Sequence, residues 1–191
     1  MEILSYLNQQ GRKGEIIHGT PAYIAERLRL LSKVHEARQF LNGKNLGIIG
    51  QPSDWLISSE PDKAALKERL GLNLVDVPIN ELIELVSSDE DLSAYSHPEM
   101  EAIAQNIPTA IQKYTNGALR IYQALKKIIE KYQLSGMTLR CFDLLTAVEN
   151  TGCLALALLN AEGIPAGCEG DVPTLVTMAV GYALTGHCGF Q

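Results

Sequence analysis

Short apolar runs alternate along the chain with longer stretches in which apolar residues recur every three or four positions. The first pattern predicts buried strands and the second amphipathic helices. "EILSYLNQQ" (2–10) reads as a helix ended by Gly11, and "GEIIHG" (14–19) as a short strand. The stretch 21–43 has helical spacing, with Pro21 suited to a first turn and Gly43 to a stop. "KNLGIIG" (44–50) is a strand followed by the turn "QPSDW"; 62–71 is a helix, 72–78 a strand and 79–88 a helix. Residues 89–99 are polar and read as an exposed connection.

A helical region over 97–133 is expected to break near Pro108 and Gly117. Its last part places Leu119, Tyr122, Leu125, Ile129 and Tyr132 on one face, with Lys and Glu residues on a solvated one. "MTLRCFD" (137–143) is a strand, and "LLTAVEN" a longish loop of the sort that lines sites. The helix 150–163 has Asn150 or Thr151 as its cap. The strand 164–170 then leads to the nearly all-apolar "VPTLVTMAVGYALTG", which should be buried on most sides. The pattern predicts an α/β fold, one domain over 1–191: an open parallel sheet of about five strands with helices on both faces, a Rossmann-like three-layer arrangement.

With 191 residues, 46% of them hydrophobic, the chain has ample core material. Its formal net charge of -6 argues against nucleic-acid binding, which requires a basic face. No signal-peptide pattern opens the chain, and no run of about 18 apolar residues could cross a membrane. The expected location is cytoplasmic, with no membrane partner. Cys141, Cys153, Cys168 and Cys188 form no CxxC pair and have small or apolar neighbours, so they read as reduced, packed thiols rather than zinc ligands.

Ligands of open parallel sheets gather outside the carboxyl ends of the strands. His18 follows the first predicted strand; Gln51, Ser53, Asp54 and Trp55 follow the second; Asp76 the third; Asp143 the fourth; Glu169 and Asp171 the fifth. Four of these five ends carry a carboxylate. Asp171 also suits a helix cap, Glu169 a pairing with a base, Asp143 the start of a turn and His18 a structural role. Trp55, the sole tryptophan, suits either core packing or a flat contact with a sugar face. "GIIGQPS" lacks the glycines and lysine of a phosphate loop. Carboxylates gathered without Cys or a second His favour a hard cation, Mn²⁺ or Mg²⁺. Such a cation would bridge two oxygens of a hydroxy-carbonyl substrate and stabilise its enediolate while a carboxylate moves the proton.

"LGIIGQPSDWLISS", "LNLVDVPINEL", "TLRCFDLL" and "TGCLALALLNAEGIPAGCEGDVPTLVTM" together resemble the L-fucose isomerase-like family, related to L-fucose and L-arabinose isomerases, over nearly the whole chain. The resemblance implies an aldose–ketose isomerase using Mn²⁺, held by acids after successive strands and by a histidine from a C-terminal domain. Carried over, "RCFD" puts one acid at Asp143, where the fucose enzymes have a glutamate, and "CEGD" puts the other at Asp171, with Glu169 the competing choice. Both acids would bind metal and one, or Glu169, would carry the proton. Ser53, Asp54, Trp55 and His18 are the expected sugar contacts, with sites shared between subunits of a homo-oligomer. Family chains are longer, so the expectation is a middle domain without its N- and C-terminal neighbours, inactive in isolation. His187 has no match in the metal motif. The alternative reading is a non-catalytic carbohydrate-binding or scaffold domain.

Overall fold

A computed structural model describes residues 2–57 and 61–189. Ser58 and Ser59 of the first quoted motif lie outside the described residues. The structure falls into two compact units, residues 1–36 and 37–191.

The N-terminal unit holds α1 (Glu2–Gln9) and the start of α2 (Pro21–Leu41). The strand expected over 14–19 does not form. Only Ile16 and Ile17 are apolar there, and Ile16 is 59% exposed. Glu15 is instead gripped by both arms of Arg27, at 2.6 and 2.8 Å. Two apolar residues offer too little burial to order a strand, and side-chain pairing holds the segment in its place.

The second unit contains β1 (Asn45–Ile49), α3 (Lys63–Leu70), β2 (Asn73–Val77) and α4 (Ile79–Ser87). It continues through α5 (Pro98–Gln105), α6 (Thr109–Tyr132), β3 (Leu134–Leu139) and α7 (Asp143–Ala147). The last elements are α8 (Cys153–Ala161), β4 (Ala166–Cys168) and α9 (Val172–Thr185). Among the described residues the sheet has four strands, all parallel, in the order β2-β1-β3-β4. Central strands covered on both faces read as continuous apolar runs, as "LGII" does. Ile49, Met137 and Leu139 pack with Leu82, Leu125, Ile128 and Leu159 from α4, α6 and α8. Leu46 packs with Leu41, Leu72, Leu175 and Ala179. Helices therefore cover both faces of a parallel sheet, the expected three layers. Among the described residues, no helix is long and apolar enough to cross a membrane.

Several local expectations change. Pro108 does break the helical region, and α6 begins just after it, because proline lacks the N–H a helix interior needs. Gly117 does not break it: α6 runs through. A Cβ there would lie 2.6 Å from the Asn150 side-chain nitrogen, which donates to the Tyr114 carbonyl at 2.7 Å. That use of Asn150 explains a second difference. Neither Asn150 nor Thr151 caps α8, which starts after Gly152 with no side-chain cap bond. The segment 89–99 is not wholly exposed, since it turns through Ser93–Tyr95 and buries Leu92. The lysines of α6 are not simply solvated: Lys126 pairs with Glu162 at 2.7 Å, Lys131 with Glu81 at 2.7 Å, and Lys127 with Glu90. Nor is α9 buried on most sides; Val172, Leu175, Met178 and Ala179 form one buried face while Pro173, Thr177 and Thr185 are exposed. Polar threonines on one side make a one-faced helix.

Candidate active site at the carboxyl edge of the sheet

The chain leaves β1 for β2 on one side, and β3 joins on the other. Such a reversal opens a crevice at the carboxyl end of the sheet. Here it measures about 780 Å³ and is lined in part by Gln51, Asp54, Asp76, Asn80, Arg140 and Asp143.

Arg140, the residue after β3, organises the crevice. Its backbone N–H donates to Ile49 at 3.0 Å, extending the pairing with β1 by one residue. Its side chain donates to the Asp143 carboxylate at 3.0 Å, the Pro52 carbonyl at 2.9 Å and the Asp54 carboxylate at 3.2 Å. The bonds to Asp54 and Asp143 raise its pKa further, so the guanidinium is a fixed positive charge between two acids. Sequence reasoning passed over this residue. The signal was present in the i, i+3 spacing of "RCFD", which lets Arg140 reach back to the acid. Asp143 itself opens α7, a five-residue helix where the sequence suggested a loop. Asp76 lies on the crevice wall, exposed and paired with Lys63.

A second cluster joins the β1 and β4 loops. The Trp55 indole N–H donates to Glu169 Oε2 at 2.8 Å, and its ring meets Phe142 edge-on with centroids 5.6 Å apart. Both rings stay open to solvent, Trp55 57% and Phe142 47% exposed. The Ser53 N–H donates to the Glu169 carbonyl at 2.9 Å. Ser53 is only 3% exposed, and its hydroxyl has no hydrogen-bond partner among the described residues. Glu169 has φ +62°, a left-handed backbone that a glutamate rarely adopts. Gly170 follows with φ +71°, and a Cβ there would lie 2.6 Å from the Gln51 carbonyl oxygen and 2.8 Å from Pro52 Cα. The two loops touch backbone to backbone at this point, which is possible only with glycine.

Asp171 caps α9. One oxygen accepts from the Thr174 N–H at 3.0 Å and the other from its hydroxyl at 2.9 Å. The carboxylate also favours the positive end of the helix. Behind these loops Cys141 and Cys168 touch, Sγ to Sγ, at 2.7 Å. The hydrogen bond between them lowers the Cys141 pKa, and the same bond, with burial, raises that of Cys168.

The structure thus brings Asp54, Asp143, Trp55 and Glu169 to one edge, with Ser53 packed behind them. His18 belongs to the N-terminal unit and is exposed; without a strand before it, the strand-end argument for it falls. For Mn²⁺ or Mg²⁺ the donor set is what matters. A hard cation needs about six oxygens. Asp143 is paired with a guanidinium, both oxygens of Asp171 are taken by Thr174, and no three His, Cys, Asp or Glu side chains among the described residues are grouped to hold a metal. The described residues alone do not fit a resident divalent ion.

Fold and edge together define an α/β domain with an open parallel sheet and a polar crevice at its topological switch. No protein-family model matches the chain. It is similar to a sulfoquinovose isomerase of Clostridium sp. (strain MSTE9), 28% identical over 123 residues, covering 63% of this chain and 28% of that protein. It is also similar to a sulfoquinovose isomerase of Alkalicoccus urumqiensis, 22% identical over 174 residues, covering 86% of this chain and 38% of the relative. The matched stretches span less than two-fifths of the length of either relative. Both relatives carry the name of a sugar isomerase.

Proposed function

We propose that residues 37–191 form the α/β domain of an aldose–ketose isomerase, presenting one wall of a sugar site. The observation that carries this reading is the Trp55–Glu169 pair at the open edge of the sheet, beside the crevice organised by Arg140. An exposed indole pinned by a hydrogen bond offers a flat apolar surface to the C–H face of a sugar. The adjacent Asp54, Arg140 and Asp143 offer acceptors and donors for its hydroxyls.

Isomerisation moves one proton from the hydroxyl to the carbonyl oxygen and another from the carbon beside the carbonyl to the carbonyl carbon, through an enediol, with no net change of atoms. Glu169 is the residue assigned to carry the second proton. Its Oε2 is oriented by Trp55, its Oε1 remains for substrate, and its left-handed backbone aims it off the end of β4. A backbone conformation costing about 1–3 kcal/mol persists where the surroundings hold it. Asp143 and Asp171 serve as positioning groups, the first through Arg140 and the second through the start of α9. Sulfoquinovose, after which both relatives are named, is the first sugar to test.

A second reading has its own support. Both acids expected to bind metal are already partnered, which suits a non-catalytic sugar-binding domain. Proton nuclear magnetic resonance in deuterated water separates the two. With the protein and sulfoquinovose, exchange of the hydrogen beside the carbonyl is expected, and Glu169→Gln should abolish it. Trp55 quenching by sugar without exchange favours the binding-domain reading. Neither quenching nor exchange, across a panel of aldoses, refutes both.

A further inference from the structure

We propose that Cys141 and Cys168 are a redox-active dithiol which a hydroperoxide converts to an intramolecular disulfide at the carboxyl ends of β3 and β4, and that Trp55 registers the change. Cys168 is the last residue of β4 and pairs in register with Leu139; Cys141 lies two residues beyond Leu139. Their sulfurs, 2.7 Å apart, lie within an ångström of the S–S bond length of about 2.05 Å. The two strand ends are held side by side by backbone bonds, including Gly170 N–H to the Leu139 carbonyl at 3.2 Å. Closure therefore requires side-chain movement more than loop closure. Oxidant has a route: a cavity of about 520 Å³ is lined by Cys168 together with Cys153, Leu156, Asn160 and Cys188, and Cys141 stands buried behind Cys168.

The chemistry balances with the peroxide as oxidant. One sulfur attacks a peroxide oxygen; the O–O bond breaks, and an alcohol or water leaves with that thiol's proton, leaving a sulfenic acid. The second sulfur attacks the first; the S–S bond forms, the S–O bond breaks, and the hydroxyl leaves as water with the second thiol's proton. The two sulfurs lose two electrons and the peroxide gains them. The consequence reaches the crevice because each cysteine adjoins a partner of Trp55. Phe142, which packs on the indole, follows Cys141, and Glu169, which accepts its N–H, follows Cys168. None of this depends on the isomerase reading.

The test is hydrogen peroxide added to the purified protein, followed by thiol alkylation and peptide mapping without reductant. The expected product has lost two hydrogens, links Cys141 to Cys168, and leaves two of the four cysteines, Cys153 and Cys188, open to alkylation. Trp55 emission should shift and return with dithiothreitol. Cys168→Ser should retain all alkylatable thiols that remain. A Cys153→Ser, Cys188→Ser double variant, altering neither sulfur of the pair, should form the link as readily as the wild type. A link to Cys153 or Cys188, four alkylatable thiols after oxidation, or a Cys141–Cys168 link that leaves Trp55 emission unchanged would each overturn the proposal.

Discussion

Substituting Gly170 by alanine probes the joint on which the crevice rests. The new Cβ would meet two backbone atoms, Gln51 O at 2.6 Å and Pro52 Cα at 2.8 Å, and neither can swing aside as a side-chain tip would. Alanine must also hold φ +71°, where an L-residue pays roughly 1–2 kcal/mol. Overpacking adds about 1–3 kcal/mol. A loss of about 2–5 kcal/mol follows, and for a domain of this size each kcal/mol lowers Tm by about 2–4 °C. Thermal unfolding followed by circular dichroism should therefore show a fall of about 4–20 °C. Trp55 emission gives a local reading at the same time, since Glu169 next to Gly170 holds the indole. Gly181→Ala is the paired control. It lies within α9 with nothing within 4 Å of the added carbon, so the better helix former should stabilise by about 0.5–1 kcal/mol. If both variants melt alike, the close approach of the β1 and β4 loops is not what holds the edge together.

Asp171→Ala should cost about 1 kcal/mol through loss of the α9 cap, read as a lower urea midpoint, while Asp171→Asn should keep most of it; equal losses would point to charge rather than to the cap bond. Acid stability should depend on Glu162. Burial works to raise its pKa, but the hydrogen bonds from Lys126 and Tyr122 outweigh that and hold it below its usual value of 4.5. A depressed carboxylate stabilises fully above its unfolded pKa and loses that contribution as pH falls through its folded value. Urea titrations between pH 7 and pH 3 should thus show a shallower acid loss in Glu162→Gln than in the wild type, and identical slopes would refute the assignment. Mn²⁺ should produce no saturable rise in the Tm of this chain, because Asp143 and Asp171 already have partners. A bound ion at ten times its Kd would add roughly 1.4 kcal/mol, a shift of several degrees, and its appearance would return both acids to the metal.

Much of the architecture is legible in local pattern. Asp62 and Gly71 bracket α3 as cap and stop, the Asp62 side chain accepting from the Ala65 N–H. "LGII" is apolar throughout and becomes the central strand β1. These features depend on a few neighbouring residues, and periodicity or capping chemistry reports them directly. The errors fall where a distant partner decides. Gly117 sits inside a helix, and Asn150, thirty-three residues on, fills the space its Cβ would take. "GEIIHG" forms no strand, and Arg27, twelve residues on, grips Glu15 there instead.

The candidate site divides in the same way. That acids and an indole would gather at the strand tips followed from strand order and the direction of the chain, so Asp54, Trp55, Asp143 and Glu169 could be picked out in advance. What those groups do once gathered depends on distances between segments far apart in sequence. Arg140 turns Asp143 from a free acid into half of an ion pair, Thr174 takes both oxygens of Asp171, and Trp55 reaches across 114 residues to Glu169. The sequence by itself determined which side chains arrive at the edge, because local pattern sets the elements and their polarity. Only the tertiary structure decided which partners those carboxylates meet, because the partners are set by packing across the sheet as well as by neighbours along the chain.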